Sequence, residues 1–234
     1  MKILFLILVI FLSAPVVSAE ELNSQPKNEV GDVIIDWQAL TYSPWWYQGR
    51  NLPTIGSKVK VGLTFLKPTK DDFYYLWKVD NKSVNLAPDP LAKEVTFEVK
   101  SFSELIELKI FKKKKESFDL VGRHFINLAV SNLEAVIYLL KNDKLSYQEE
   151  ISVKGGDRSS FLTVPYFFNI DQSKNLKFNW RFLGKNTSGT DFNPNLLDLN
   201  IEKVSRVLYA PLSVFVSNED SSQIASGEVN LRIE

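Results

Sequence analysis

Apolar and polar residues alternate along most of this chain with the two-residue period of a half-buried β-strand. In the clearest stretch Phe73, Tyr75, Trp77 and Val79 share one face, and Asp80-Asn81-Lys82 forms a polar turn after it. About a hundred residues later the pattern returns: Leu176, Phe178, Trp180 and Phe182 alternate, followed by Gly184-Lys185-Asn186. Other segments repeat in the same order. Val95, Phe97 and Val99 match Leu197, Leu199 and Ile201; Ile106, Leu108 and Ile110 match Leu212, Val214 and Val216. Ile126-Asn127-Leu128-Ala129-Val130 matches Val229-Asn230-Leu231-Arg232-Ile233, and Val164 to Phe168 takes the slot of Leu63 to Phe65. Matched blocks in one order predict a duplicated unit.

Each unit opens with further alternation. Val33, Ile35, Trp37 and Ala39 precede Val59, Val61, Leu63 and Phe65 in the first, and Ala135–Leu140 and Leu145–Val153 open the second. With about seven strands per unit and one inward Trp on a central strand, the expectation is an all-β protein of two tandem immunoglobulin-like β-sandwiches, residues 31–131 and 132–234. No long stretch carries a helical period, although Ser103–Ile110 has room for one turn. Trp37, Trp77 and Trp180 are expected in the cores. Ser131–Glu134 is a short junction without Gly or Pro, which predicts two units set end to end as a semi-rigid rod.

The N-terminus breaks the alternation. Lys2, the apolar run Ile3–Leu12 and the ending Val17-Ser18-Ala19 read as an export signal over 1–19, with cleavage after Ala19. An uncleaved membrane anchor is the alternative, and a polar leader covers 20–30. Both readings put the bulk of the chain outside the cytoplasm, secreted or at the cell surface. Lys and Arg total 28 against 28 Asp and Glu, so no global field steers the protein toward nucleic acid or an anionic membrane. The chain has no cysteine, which excludes disulfides, thiolate ligands and a thiol nucleophile.

Candidate chemistry is sparse. His124 is the sole histidine, so a Ser-His-Asp or zinc site needs it, and its place on a closing strand predicts a plain strand residue. The carboxylate pairs Asp71-Asp72, Glu149-Glu150 and Glu219-Asp220 fall in turns or at strand edges, and the junction offers calcium only Glu134. No catalytic residue, metal or cofactor is predicted. Trp45-Trp46-Tyr47 lies in the Pro- and Gly-broken segment Leu40–Ser57, where it either contacts a sugar or a protein, or caps the open end of the first sandwich; the flanking Pro and Gly favour the cap. Lys112, Lys113, Lys114 and Lys115 read as a hairpin turn, solvated or touching an anionic polymer. Asn81-Lys82-Ser83 and Asn186-Thr187-Ser188 match glycosylation acceptors.

Trp37, Ala39, Tyr42, Pro44, Tyr47-x-Gly49-Arg50-x-Leu52-Pro53, Gly56-Ser57, Tyr75-x-Trp77 and Pro165-Tyr166-Phe167-Phe168 together resemble a set of exported proteins from bacteria with very small genomes. Those proteins carry tandem Ig-like or PKD-like domains. The resemblance spans most of the mature chain and implies a non-enzymatic surface protein. Where PKD domains carry an acidic glycine-rich turn, this chain has Lys78-Val79-Asp80-Asn81. The expected function is therefore a non-catalytic envelope or surface spacer and adhesion module that contacts other surface proteins or cell-wall polysaccharide. The alternatives are a carbohydrate-binding module using Trp45, Trp46 and Tyr47, and an accessory domain of an extracellular enzyme complex.

Overall fold

A computed structural model describes residues 32–67, 72–170 and 173–234. The expected export signal, the leader and Asp71 lie outside these residues. In chain order the strands are β1 (Val33–Ala39), β2 (Lys58–Phe65), β3 (Phe73–Val79), β4 (Lys82–Ser83), β5 (Glu94–Glu98), β6 (Ser103–Lys114), β7 (Ser117–Ala129) and β8 (Glu134–Lys141). They continue as β9 (Lys144–Ser146), β10 (Glu150–Val153), β11 (Arg158–Tyr166), β12 (Lys177–Phe182), β13 (Lys185–Thr187), β14 (Leu196–Asn200), β15 (Leu208–Ser217) and β16 (Ile224–Ile233). A single 3₁₀ turn, Ser173–Asn175, is the helical element among the described residues.

The strands form two sandwiches. In the first, the sheet β1-β2-β5 accompanies β4-β3-β6-β7; in the second, β14-β11-β8-β9 accompanies β10-β16-β15-β12-β13. This is the strand order of an Ig-like fold, in which the chain passes from sheet to sheet three times in the first unit and five times in the second. The repeat aligns residue for residue at the centre: Trp77 sits opposite Leu108, and Trp180 opposite Val214. The slot of Leu63 is taken by Thr163 and that of Phe65 by Pro165, since Val61 pairs with Val95 as Phe161 pairs with Leu197.

Each sandwich closes over its own core. One cluster is drawn from residues between Ala39 and Leu128, the other from residues between Ala135 and Ile233. Trp77 and Trp180 are fully buried, and their indole N–H groups meet the same need in the same way. Trp77 Nε1 donates to the Ala92 carbonyl at 2.7 Å and Trp180 Nε1 to the Pro194 carbonyl at 2.9 Å. A buried indole requires such an acceptor, and the segment entering the β5 or β14 strand supplies it. Trp37 differs from expectation. It is half-buried at the margin of the first core, with the Arg50 guanidinium 4.7 Å over its ring.

Ser103–Ile110 holds no helical turn and is strand throughout, because Ile106, Leu108 and Ile110 alternate into the core opposite β3 as their spacing predicts. Two further expectations are corrected. Lys112, Lys113 and Lys114 also belong to β6, paired with Asp119, Phe118 and Ser117, and only Lys115 enters the turn. Their lack of apolar alternation hid a strand that projects past the core. Leu145–Val153 is not one strand: β9 forms a hairpin with β8, and β10 crosses to lie parallel to β16.

Tight hairpins join several strands. Asp80-Asn81, Asn142-Asp143 and Leu183-Gly184 place both turn residues at positive φ, the pattern of a type I′ turn. Asn and Asp accept this conformation readily, whereas at φ 51° the Cβ of Leu183 crowds the carbonyl oxygen that follows it. Leu183→Asn is expected to raise stability by about 1 kcal/mol. Urea denaturation checks this, and an unchanged or lowered midpoint would contradict it.

Candidate interaction surface at the junction of the sandwiches

The segment between β1 and β2 does not fold back as a cap on its own sandwich. It is tied internally and to β1: Thr41 Oγ1 donates to the Leu52 carbonyl (3.0 Å), Asn51 Nδ2 to the Thr41 carbonyl (2.5 Å), and Arg50 pairs with Asp36 of β1 (2.9 Å). Its Pro and Gly residues permit the path. At Gly49 a Cβ would come within 2.4 Å of the Tyr47 ring, so only glycine lets that ring lie across the loop.

From there the loop reaches the second sandwich. Tyr42 N–H donates to the Phe168 carbonyl (2.7 Å), Phe167 N–H donates to the Tyr42 carbonyl (2.6 Å), and Thr54 Oγ1 donates to the Phe167 carbonyl (3.0 Å). Asn169 Nδ2 donates to the Gly56 carbonyl at 2.9 Å. Around these bonds Tyr47 meets Tyr166 and Phe167 edge to face, with centroids 5.6 and 5.9 Å apart. Val164, Tyr166 and Phe167 form a small buried cluster with Tyr47 and Leu52 packed on it. Burial and a hydrogen bond with the Tyr138 hydroxyl push the Tyr166 phenol well above its ordinary pKa, so it remains a neutral partner in the cluster. Phe167 holds φ 64°, a conformation that an aromatic residue keeps only when its surroundings enforce it.

Tyr47 is thus anchored, while its neighbours are displayed. Trp45 is 90% exposed and Trp46 about half as much, with their rings edge to face at 5.5 Å and 87°. They form a corner and not a flat platform. Beside the junction lies a groove of about 540 Å³ that includes Thr54, Ile55, Phe102, Leu133 and Ile224. Ile55, Phe102 and Ile224 are exposed there. A second groove, about 550 Å³, lies against β8, β10 and the start of β11, where Arg158 is paired with Asp198.

The remaining candidates are not brought together. The Lys112–Lys115 run projects at the β6–β7 hairpin, with Lys114 paired to Asp119. Glu134 starts β8 opposite Tyr166, and among the described residues no group of three or more His, Asp or Glu could hold a metal ion. Asp220 is held below its ordinary pKa by hydrogen bonds from Ser222, as expected of a turn residue. Asn81 and Asn186 lie in and beside hairpin turns, as the polar-turn reading expects.

His124 lies on β7 opposite Leu108, half-buried, with Nε2 buried and without a hydrogen-bond partner. Burial lowers its pKa below 6.5, so the fold favours the neutral ring. The unfolded chain then binds this proton first as pH falls. The contribution is complete above pH 6.5 and is lost as pH drops through that value toward the folded pKa. His124→Gln is expected to flatten the fall of the urea midpoint between about pH 7 and 5. An unchanged pH profile would contradict this. Asp198, held low by the Ser160 hydroxyl and then by Arg158, acts in a separate, more acidic window.

Sequence reasoning singled out Trp45, Trp46 and Tyr47 but not the residues that receive them: Thr54, Tyr166, Phe167 and Asn169. One signal was present. Val164-Pro165-Tyr166-Phe167-Phe168 is apolar on both faces, which marks a strand end covered from both sides.

No protein-family sequence model matches the chain, and no curated protein matches it. Solved structures give partial overlays. One is the three N-terminal domains of the Highly Immunogenic Outer Capsid protein of bacteriophage RB49, at 10% identity and TM-score 0.41, over 86% of this chain and 58% of that one. Another is the fibronectin(III)-like modules of Clostridium thermocellum CbhA, at 10% identity and TM-score 0.30, over 86% and 93%. A third is SGBP-B of Bacteroides ovatus, in complex with a mixed-linkage heptasaccharide, at 14% identity and TM-score 0.24, over 85% and 47%. The chain thus spans little more than half of the phage structure. The assignment rests on strand order and core: this chain is a tandem of immunoglobulin-like β-sandwiches.

Proposed function

We propose that the protein is a non-catalytic, exported spacer and adhesion module of the cell envelope or surface, with domains at 31–131 and 132–234. The observation that carries this reading is the clamp. Hydrogen bonds from Tyr42, Thr54, Phe167 and Asn169, with the Tyr47–Tyr166–Phe167 cluster between them, resist hinge motion at the four-residue junction. A braced pair of sandwiches transmits length, and the same loop that braces it holds Trp45 and Trp46 out to solvent. Exposed aromatic side chains on a fixed loop suit a protein partner, because each gains a large contact area for little lost freedom.

Sugar binding through Trp45 and Trp46 is the second reading, favoured by their exposure. Their perpendicular rings speak for a protein contact, since stacking on sugar rings uses a flat face. Crosslinking on intact cells followed by mass spectrometry tests the proposal. Recovery of the protein free in the medium with no crosslinked envelope partner would overturn it. Trp45→Ala is expected to shift stability by less than about 0.5 kcal/mol, because the side chain is nearly free of the fold, and yet to abolish that crosslink. A crosslink that survives the substitution would move the contact elsewhere.

A further inference from the structure

Because the two sandwiches share one strand order, each position on one has a counterpart on the other. One position is filled in the second sandwich and open in the first. In the second, β10 pairs in parallel with β16, Glu150–Val153 beside Asn230–Ile233. Asn230 N–H donates to the Glu149 carbonyl (3.1 Å) and Glu234 N–H to the Val153 carbonyl (3.0 Å). In the first sandwich only the last of these bonds has an equivalent, from Ser131 N–H to the Pro53 carbonyl at 2.8 Å. Upstream of Pro53 the chain leaves β7 and is diverted to the clamp on the second sandwich. β7 is therefore the outermost strand of its sheet among the described residues. Val130 N–H points inward, to the Phe102 carbonyl, and Ser131 N–H outward; strand alternation then aims the N–H groups of Asn127 and Ala129 outward as well.

The cores on either side of this edge differ accordingly. In the second sandwich Ile137, Val229 and Ile233 are buried, together with Ile151 and Val153 of β10. Their counterparts in the first, Ile35, Ile126 and Val130, are only partly buried. Asn51, which stands two residues before Pro53 as Ile151 stands two before Val153, bonds within its own loop and adds no aliphatic side chain to the seam. A side-chain difference accompanies the opening. A Cβ at Gly227 would come within 2.2 Å of the Ala135 carbonyl oxygen, so glycine lets β8 lie directly on β16. The counterpart on β7 is His124, and its imidazole leaves no room for so close an approach by β1.

We infer that the outer edge of β7, from Phe125 to Ala129, is an acceptor site for an extended segment of a partner protein, added in parallel. The segment places alternate aliphatic side chains over Ile35, Ile126 and Val130, as Ile151 and Val153 do in the second sandwich. The filled copy defines the occupant's chemistry: a polar-aliphatic-polar-aliphatic stretch such as Glu150-Ile151-Ser152-Val153. Main-chain bonds supply affinity and the alternate side chains supply selectivity. The site is independent of the aromatic loop and stands whether or not Trp45 and Trp46 contact anything.

The test is amide hydrogen exchange on the full chain with a synthetic peptide of residues 147–155, YQEEISVKG. At saturation the amides of Asn127 and Ala129 are expected to slow by about tenfold or more. A peptide carrying I151D and V153D is expected to have no effect. Ala129→Pro, which removes an outward N–H and no bond to β6, is expected to abolish the protection. Should that variant fail to fold, a peptide N-methylated at Ile151 and Val153 removes the complementary bonds of the same ladder, those donated to β7 carbonyls, with the same loss expected. Three results would overturn the inference: no slowing at about 1 mM peptide, protection confined to residues 230–233, or protection of Asn127 and Ala129 by a dimer of the chain without peptide.

Discussion

Trp77→Ala is expected to destabilise the first sandwich by about 3 to 5 kcal/mol, the range for removing a buried aromatic side chain. The indole is completely buried between the sheets, opposite Leu108. Its loss leaves a cavity lined by rigid strand backbone, which cannot collapse to fill it. The Ala92 carbonyl also loses the Nε1 donor, and an acceptor left unpaired in the interior adds a further cost of about 1 to 3 kcal/mol if no water reaches it. Trp180→Ala should act alike on the second sandwich through the Pro194 carbonyl. Trp77→Phe separates the contributions, keeping most of the apolar contact and losing the donor, and should fall between wild type and Trp77→Ala. Urea denaturation monitored by circular dichroism measures all three. A Trp77→Ala variant within about 1 kcal/mol of wild type would show that the core does not depend on this residue.

Phe167→Ala has the second large effect, and its character differs. The ring is buried against Tyr47 and Tyr166, and truncation should cost about 3 to 4 kcal/mol. No relief of strain offsets it, because alanine keeps the Cβ that makes φ 64° costly. The loss falls on the contact between the sandwiches and leaves each core intact. The unfolding transitions of the two are therefore expected to separate, and small-angle scattering should report a broader distribution of maximum dimensions. Thr54→Val, which removes a single hydrogen bond to the Phe167 carbonyl, should weaken the coupling by about 1 kcal/mol in the same direction. A Phe167→Ala protein that unfolds in one transition with unchanged dimensions would locate the bracing elsewhere.

The candidate surface was half legible before the structure. Trp45-Trp46-Tyr47 stood out as aromatic residues in a segment that Pro and Gly keep from forming a strand. Nothing local distinguishes their three fates, however. Tyr47 is half-buried against Phe167, Trp46 is partly covered and Trp45 is bare, because the covering surface comes from residues more than a hundred positions away. The lysine run shows the converse limit. Lys112, Lys113 and Lys114 continue β6 because β7 pairs with them, and pairing of backbone with backbone needs no apolar side chain to announce it.

By itself the sequence determined the core strands, their inward faces, the duplication and the two central tryptophans, since a half-buried strand must alternate and a second copy must alternate in the same places. Tertiary structure decided the path of the segment between β1 and β2 and the fate of the strand position it vacates. In the second unit Gly227 admits β8 onto β16 and β10 completes the sheet; in the first, His124 takes the glycine's place and the loop crosses to clamp its neighbour. Both units carry the same alternation, and the difference between them arises where backbone hydrogen bonds and close packing choose partners across distance, a choice that local periodicity does not encode.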